Sequence, residues 1–198
     1  MQAFADAATM RITAVDVIEL TWVVFFLYWF FSAFRVKKMR RREPVAQRLA
    51  YLFAIGFAAF ILSALAPRTF LHRRFVPMLP WIDLLGASLT VAGVGFAIWG
   101  RSHIGQYWSA PVALREGHQL IRTGPYAHIR HPIYSGALLA LAGTCLSMGN
   151  YRAIVLFGLV LAGFTMKARK EEALLAGEFR PAFDKHRNHT GFFLPKFS

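Results

Sequence analysis

The sequence is poor in cysteine and in charged residues, and both shortages limit what the protein can be. Its 198 residues contain one cysteine, Cys145. A disulfide framework within the chain and a cysteine-rich zinc or iron–sulfur site are therefore excluded. Charged residues make up 17% and hydrophobic residues 56%, against about 25% and roughly 45 to 50% in a soluble domain. These values exclude intrinsic disorder and argue against a water-soluble globule, and the length predicts one domain over residues 1–198.

Signatures of several common enzyme classes are also missing. The sequence has no Walker loop, no Gly-x-Gly-x-x-Gly and no Gly-x-Ser-x-Gly, so NTP hydrolysis, Rossmann dinucleotide binding and serine hydrolase chemistry have no support. His128 and His131 lie three apart, as do His186 and His189. Neither pair has carboxylate or cysteine partners at ligand spacing, so we expect no metal site.

Five apolar blocks, separated by charge-bearing connections, dominate the chain. They cover about residues 12–34, 49–66, 79–99, 133–148 and 153–166. The first three are credible membrane spans, whereas the last two, with 16 and 14 residues, are each short of the roughly 20 residues that an independent crossing needs. Because only a turn-like Gly149-Asn150 and Arg152 separate these two, a tight helical hairpin is predicted. The predicted fold class is an all-α multi-pass membrane protein with five transmembrane helices.

The distribution of basic residues predicts the orientation of these spans. Lys and Arg total 23 against 10 Asp and Glu, a net charge of +13 that in a polar chain would suggest nucleic acid. Here the alternate connections carry 18 and 5 of them, and the richer side should be cytoplasmic. We predict an outside N-terminus, a cytoplasmic C-terminus and a bacterial inner membrane location. The basic cluster 35–42 is then a topology signal that can contact anionic lipids, and no nucleic-acid partner is expected.

Polar residues beyond the basic ones concentrate in 101–134 and 167–190, both predicted to be cytoplasmic. A cytoplasmic pocket built from both segments is therefore expected. Pro132 fits the first turn of the fourth helix and favours an extended conformation at His131. The N–H groups at the start of this helix form a ready site for a carboxylate or phosphate. Lys167 and Glu171 lie one turn apart on one face of the next helix, which an ordinary surface ion pair also explains.

The polar motifs resemble those of the isoprenylcysteine carboxyl methyltransferase family and its phospholipid methyltransferase relatives. The elements that carry the resemblance span about residues 99–197: residues 117–126, Arg130-His131-Pro132-Ile133-Tyr134, Glu171-Glu172 with Leu175 and Phe179, and Leu194-Pro195. The resemblance implies an integral membrane enzyme that uses S-adenosylmethionine. It implies these cofactor contacts: His118, Gln119, Leu120, Ile121, Tyr126, His131, Pro132, Ile133, Tyr134 and Glu171.

Each part of S-adenosylmethionine finds a chemical partner among these residues. Its carboxylate suits the start of the fourth helix, and its ammonium suits Glu171. Its sulfonium can lie against a tyrosine face, and its adenine suits an apolar slot such as Leu120, Ile121 and Ile133. Interfacial anchoring is the alternative explanation for Tyr126 and Tyr134.

The sequence departs from the family pattern at two places. Phe179-Arg180, then Phe183 and His186, stand where the family has Phe-Gly followed by Tyr-x-x-Tyr. Lys167 stands where prenylcysteine methyltransferases place an arginine that faces the substrate carboxylate. Lysine supplies a point charge without the bidentate fork of arginine, so Lys167, or Arg169 in its place, is predicted to position the substrate.

Three functions follow as alternatives. The leading one is methyl transfer to a lipophilic acceptor from the bilayer, specifically carboxyl O-methylation of an isoprenylcysteine-like substrate. The second is N-methylation of a phospholipid or other lipid amine, for which Glu172 or a loop histidine would take the proton. The third is a small membrane transporter or scaffold, although repeated halves and midplane charges, which are common in transporters, are not evident.

Overall fold

The computed structural model of the chain describes residues 12–32, 34, 69–105, 108 and 120–196. Within these ranges the protein is helical and contains no β-strand beyond isolated bridges. The α-helices are α1 (Ala14–Ser32), α2 (Pro80–Ile104), α3 (Pro132–Met148), α4 (Tyr151–Phe179) and α5 (Ala182–His189). Short 3-10 turns cover Phe70–His72 and Gly124–Ala127. The predicted all-α class is confirmed for this part of the chain.

The helix bounds follow the apolar blocks with one important difference. Helix α3 begins at Pro132, as the proline predicts. The fifth apolar block has 14 residues, but the helix that contains it is about twice as long. Helix α4 runs unbroken for 29 residues from Tyr151 and contains both the apolar block and the charged segment after it. The predicted second span, residues 49–66, and the basic cluster 35–42 lie outside the described residues.

Three of the described helices, α1, α2 and α4, are long and apolar enough to cross a membrane. Helix α3 is apolar but has only 17 residues, fewer than a perpendicular crossing requires. Large apolar side chains such as Phe26, Phe30, Leu84 and Ile154 are exposed on the spanning helices, where lipid would cover them. The chain is an integral membrane protein, whereas five spans and the orientation of the termini stay predictions.

Helices α2 and α3 approach so closely that glycines form their contact surface. A Cβ added at Gly136 would lie 2.5 Å from the Ala97 nitrogen and 2.6 Å from the Gly93 carbonyl oxygen. One added at Gly86 would lie 2.7 Å from the Gly143 carbonyl oxygen. In a membrane, close backbone approach of this kind stabilises helix pairs because lipid provides little hydrophobic drive for association.

Of the small residues Gly86, Ala87, Gly93 and Gly95 on α2, only some serve packing against α3. Gly86 and Gly93 do so, and Ala87 is buried. Gly95 does not, because a Cβ there would meet nothing within 4 Å.

Buried hydroxyl groups add a polar tie between three helices. Thr90 of α2 is completely buried, and its Oγ1 lies 3.2 Å from the Ala140 carbonyl oxygen of α3. Thr144 of α3 accepts a hydrogen bond of 3.0 Å from the Trp22 indole of α1. Each hydroxyl also bonds to a carbonyl one turn earlier in its own helix, so the polar groups are satisfied away from water.

The turn between α3 and α4 is fixed by local geometry. Gly149 adopts the left-handed conformation (φ 61°) that ends α3. Asn150 caps α4 by accepting a hydrogen bond from the Ala153 amide. Arg74, from the segment before α2, donates to the carbonyl oxygens of Ser147 and Met148 at 3.3 and 2.8 Å. The last carbonyls of α3 are therefore satisfied.

The glycine contacts predict a sharp difference between two valine substitutions. Gly136→Val should destabilise the protein by about 1 to 3 kcal/mol or more, because its side chain has no space between α3 and α2. Gly95→Val faces open space and should change stability little. Thermal unfolding of both variants in detergent, followed by circular dichroism, checks this, and equal midpoints would contradict the close packing of α2 on α3.

Candidate functional site

Polar side chains converge where the start of α3 meets the C-terminal half of α4. His131 immediately precedes α3 and is 6% exposed, and Tyr134 lies in the first turn of that helix. On α4, Lys167 and Glu171 lie one turn apart and share a face with the fully buried Ala168. The structure thus brings together residues separated by almost 40 positions in the sequence.

Glu171 is held by two residues of the α3 start. Tyr134 Oη donates a hydrogen bond of 2.6 Å to Glu171 Oε1, and His131 Nδ1 lies 3.6 Å from Glu171 Oε2. The Glu171 side chain remains 25% exposed. The ordinary ion pair with Lys167 does not form, because the Glu171 carboxylate turns toward Tyr134 and His131 instead. Glu171 is therefore an anchored carboxylate with an open side.

Glu172 lies in a different environment. Arg130 Nε contacts Glu172 Oε1 at 2.5 Å, and His131 Nε2 lies 3.2 Å from the same oxygen. Arg130 also donates to the carbonyl oxygens of Arg187 and Thr190. Its guanidinium consequently connects α4 to the end of α5. Glu172 is a structural partner in this arrangement. Burial alone would raise the pKa of its carboxyl, but hydrogen bonds and charge interactions with His131 and Arg130 lower the pKa, which makes Glu172 a poor base.

His131 is placed between the two glutamates. Burial alone would lower the pKa of this imidazole, but hydrogen bonds and charge interactions with Glu171 and Glu172 outweigh burial and raise the pKa above its ordinary value. A protonated ring donates from both nitrogens, which matches a carboxylate on each side. The backbone at His131 has φ −124° and ψ 59°, so it avoids the helical region as expected but is less extended than the proline rule predicts.

The Tyr134 ring is enclosed by its neighbours. Its centroid is 4.9 Å from that of Phe164 and 5.6 Å from that of His131, both in stacked orientations. Lys167 Nζ lies 5.4 Å from the Tyr134 centroid, over the ring. Lys167 therefore contacts the site through a cation–π interaction, and its role in positioning a substrate stays a prediction. Arg169 does not: its side chain is exposed, and no described contact of the site involves it.

A second part of the site lies at the end of α2. Tyr126 is 8% exposed, its hydroxyl donates to the Gly100 carbonyl oxygen at 3.3 Å, and its ring stacks on His103. His103 Nε2 lies 2.9 Å from Thr123 Oγ1, which fixes the turn before Tyr126. Burial, assisted by the negative charge of Glu171, raises the pKa of Tyr126 far above its ordinary value. Tyr126 is thus a neutral hydroxyl.

Of the other residues predicted to contact the cofactor, some lie among the described residues and two do not. Pro132 is fully buried, and Ile133 is half-buried against the end of α2, where a Cβ on Gly100 would lie 3.2 Å from Ile133 Cγ1. Leu120 and Ile121 are half-buried. His118 and Gln119 lie outside the described residues.

Residues 190–196, here called the C-terminal strap, cover the start of α3. The amides of Arg130 and His131 donate to the carbonyl oxygens of Gly191 and Phe192 at 2.9 and 3.3 Å. The Phe192 ring lies 5.0 Å from the His131 ring. Sequence reasoning missed this aromatic cover and the bonds of Arg130. Two adjacent phenylalanines before Leu194-Pro195 were the available signal.

At two positions where the sequence departs from the family pattern, the side chains are buried and pack in the protein interior. Phe183 is 2% exposed and His186 is buried beside it on α5. Burial and the nearby charges of Arg130 and Arg122 lower the pKa of His186. In the parts of the chain that the structure describes, no group of three or more His, Cys, Asp or Glu residues could hold a metal ion.

Comparison with known proteins identifies the segment that contains most of this site. Residues 86–177 match the model of the isoprenylcysteine carboxyl methyltransferase (ICMT) family. That segment is similar to the ICMT family. The resemblance seen in the sequence is thereby confirmed, and the ICMT segment includes Arg130, His131, Tyr134 and both glutamates.

Three relatives match different shares of this chain and of their own length. The protein-S-isoprenylcysteine O-methyltransferase of Schizosaccharomyces pombe is 34% identical over 94 residues, which are 46% of this chain and 40% of the yeast protein. The cobalt-zinc-cadmium resistance protein CzcN of Cupriavidus metallidurans is 29% identical over 60% of this chain and 53% of its own length. The Bacillus subtilis protein YpbQ is 26% identical over 71% of this chain and 82% of its own length. The chain thus spans about half the length of the first two relatives.

The Arg130–Glu172 pair predicts a measurable effect on stability. Glu172→Gln should lower the free energy of unfolding by about 1 to 3 kcal/mol, because it leaves a largely buried guanidinium without its charged partner. Asp184→Asn is the control, since Asp184 pairs with Arg180 and Arg187 at a more exposed position and should cost at most about 1 kcal/mol. Unfolding in detergent by denaturant measures both, and a larger loss in the control would contradict a structural role for Glu172.

Proposed function

We propose that this protein binds S-adenosylmethionine between the start of α3 and α4 and transfers its methyl group to a lipophilic acceptor. The observation that carries the proposal is the meeting of Tyr134 and His131 with Glu171, at 2.6 and 3.6 Å, across the ICMT-family segment. A small membrane transporter or scaffold gives no reason for this polar cluster at the start of α3.

The residues present fit the chemistry of S-adenosylmethionine. Glu171 is anchored yet partly exposed, which suits a charge-assisted bond from an ammonium. The Tyr134 ring already carries a cation, Lys167, which supports its use as a surface for positive charge. The start of α3 suits a carboxylate. Half-buried Leu120, Ile121 and Ile133 offer apolar surface for adenine, with Tyr126 and Pro132 beside them and His118 and Gln119 completing the proposed set.

The protein's own contribution would be positioning and exclusion of water. When bound, S-adenosylmethionine supplies a methyl that forms a bond to the acceptor oxygen while the carbon–sulfur bond breaks and leaves its electron pair on sulfur. The chain then needs to hold the two ligands in line and keep water out. The C-terminal strap and the stack of Phe164, Tyr134 and His131 support such a rigid, covered site.

The shortage of a free base near the site favours a carboxylate acceptor over an amine. A carboxylate is already ionised near neutral pH, whereas an ammonium must first lose a proton. Glu172, the base considered for an amine, is engaged by Arg130 and His131. Both ring nitrogens of His131, the other nearby candidate, already face the carboxylates of Glu171 and Glu172. Carboxyl O-methylation of an isoprenylcysteine-like substrate is therefore better supported than N-methylation of a lipid amine.

The proposed setting is a bacterial inner membrane. The charge count supports an outside N-terminus and a cytoplasmic C-terminus, which would place the site on the cytoplasmic side. The exposed apolar surfaces of α1 and α4 support entry of the acceptor from the bilayer.

The first test concerns the cofactor. In purified protein, Glu171→Gln should weaken S-adenosylmethionine binding by about 1 to 3 kcal/mol, because it removes the charge opposite the ammonium. Glu19→Gln, an exposed acid on α1, is the matched control and should bind normally. Isothermal titration calorimetry measures both. Unchanged affinity would remove Glu171 from the site, and no binding by the unaltered protein at millimolar ligand would overturn the proposed function.

The second test concerns the acceptor. With N-acetyl-S-farnesyl-cysteine as probe, Lys167→Ala should lower kcat/KM by tenfold or more, since about 1.4 kcal/mol is a modest demand for a partly buried charge pair. Lys167→Arg should keep or improve activity, and Arg169→Ala, at an exposed position, should be nearly neutral. A neutral or favourable effect of Lys167→Ala would instead point to an amine acceptor.

A further inference from the structure

Lys167 reaches the Tyr134 ring from the neighbouring helix α4. Its Nζ lies over the Tyr134 ring at 5.4 Å from the centroid. The ring itself is fixed, because Glu171 accepts a bond from its hydroxyl and Phe164 and His131 stack on it. Of the groups that contact the ring, the Lys167 ammonium can move most readily, since it is carried on a flexible four-carbon side chain.

We propose that Lys167 is a built-in competitor for the sulfonium of S-adenosylmethionine at the Tyr134 ring. In this inference, which rests on the proposed function, the Lys167 ammonium lies on the ring while the ligand cation is absent. It leaves the ring when that cation binds, and it then becomes available to a carboxylate of the acceptor. Lys167 thereby couples the two ligand sites.

The coupling follows from electrostatics. Two cations cannot share one ring at van der Waals distance without strong repulsion. A cation–π contact at a partly exposed position corresponds to about a two- to fivefold change in affinity. Because coupling between ligands is reciprocal, an anionic acceptor that draws Lys167 off the ring should tighten binding of a cationic cofactor. It should do nothing for a neutral cofactor of the same shape.

Two probes separate charge from shape. Sinefungin carries an ammonium at the position of the sulfonium, and S-adenosylhomocysteine has a neutral thioether there. In titration calorimetry on the full chain in detergent, Lys167→Met should tighten sinefungin binding about two- to fivefold and leave S-adenosylhomocysteine binding unchanged. Lys185→Met on α5, an exposed lysine, is the control and should change neither affinity.

The reciprocal arm adds N-acetyl-S-farnesyl-cysteine. This carboxylate should tighten sinefungin binding to the unaltered protein, leave S-adenosylhomocysteine binding unchanged, and lose its effect in Lys167→Met. Tyr134→Leu, with its fold checked by circular dichroism, should abolish the response of sinefungin to the lysine substitution.

The outcomes distinguish the inference from the function on which it rests. Equal changes for both probes in Lys167→Met, or weaker sinefungin binding, would overturn the competition while leaving cofactor binding established. Failure of the unaltered protein to bind either probe would overturn the proposed function and the inference with it.

Discussion

The close contact of α2 with α3 determines where every part of the candidate site can lie. Gly136 lies against the Ala97 backbone and Gly86 against Gly143, so a larger side chain at either position would push the two helices apart. The start of α3 is consequently held at the end of α2, where Gly100 lies against Pro132 and Ile133. The Tyr126 hydroxyl bonds to the Gly100 carbonyl oxygen at the same place. The contacts around Gly100 thus position both the loop before α3 and the start of α3.

Glu171 and Glu172 are neighbours on α4 but lie in different environments. Glu172 is bound by Arg130, whose other donors connect it to carbonyl oxygens around α5. Glu171 accepts a hydrogen bond from the Tyr134 hydroxyl, lies 3.6 Å from the His131 ring and keeps a quarter of its side-chain surface exposed. Buried charge is tolerated only when it is paired, so the Arg130–Glu172 pair stabilises the fold and leaves Glu171 available to a ligand.

Sequence reasoning succeeded where a single residue dictates local geometry. Pro132 predicts the start of α3 because proline fits the first helical turn, and the charged continuation of α4 is evident from its strong helix formers. It was less successful where one side chain has several possible partners. The spacing of Lys167 and Glu171 allows an ion pair, but Tyr134 contacts both and keeps them apart. That competition depends on a neighbouring helix about 35 residues away, which one-dimensional spacing does not contain.

The same limit applies to the segment around residue 190. Its contacts with Arg130 join positions 57 and 60 residues apart, and no periodicity within either segment indicates them. Likewise, the true length of α4 could not be read from apolar runs, because the helix passes from apolar to charged residues without a break. The packed structure shows which side chains of this charged portion meet the start of α3.

The C-terminal strap has a consequence for biosynthesis. Each apolar helix can enter the bilayer soon after it leaves the ribosome, because its backbone bonds are satisfied within the helix. The contacts of Arg130 and His131 form later, because their amides donate hydrogen bonds to the carbonyl oxygens of residues 191 and 192. Membrane insertion and completion of the site are therefore separate events in time. A nascent chain arrested after α4 would already contain the apolar helices α1, α2 and α4 and still lack the cover over His131.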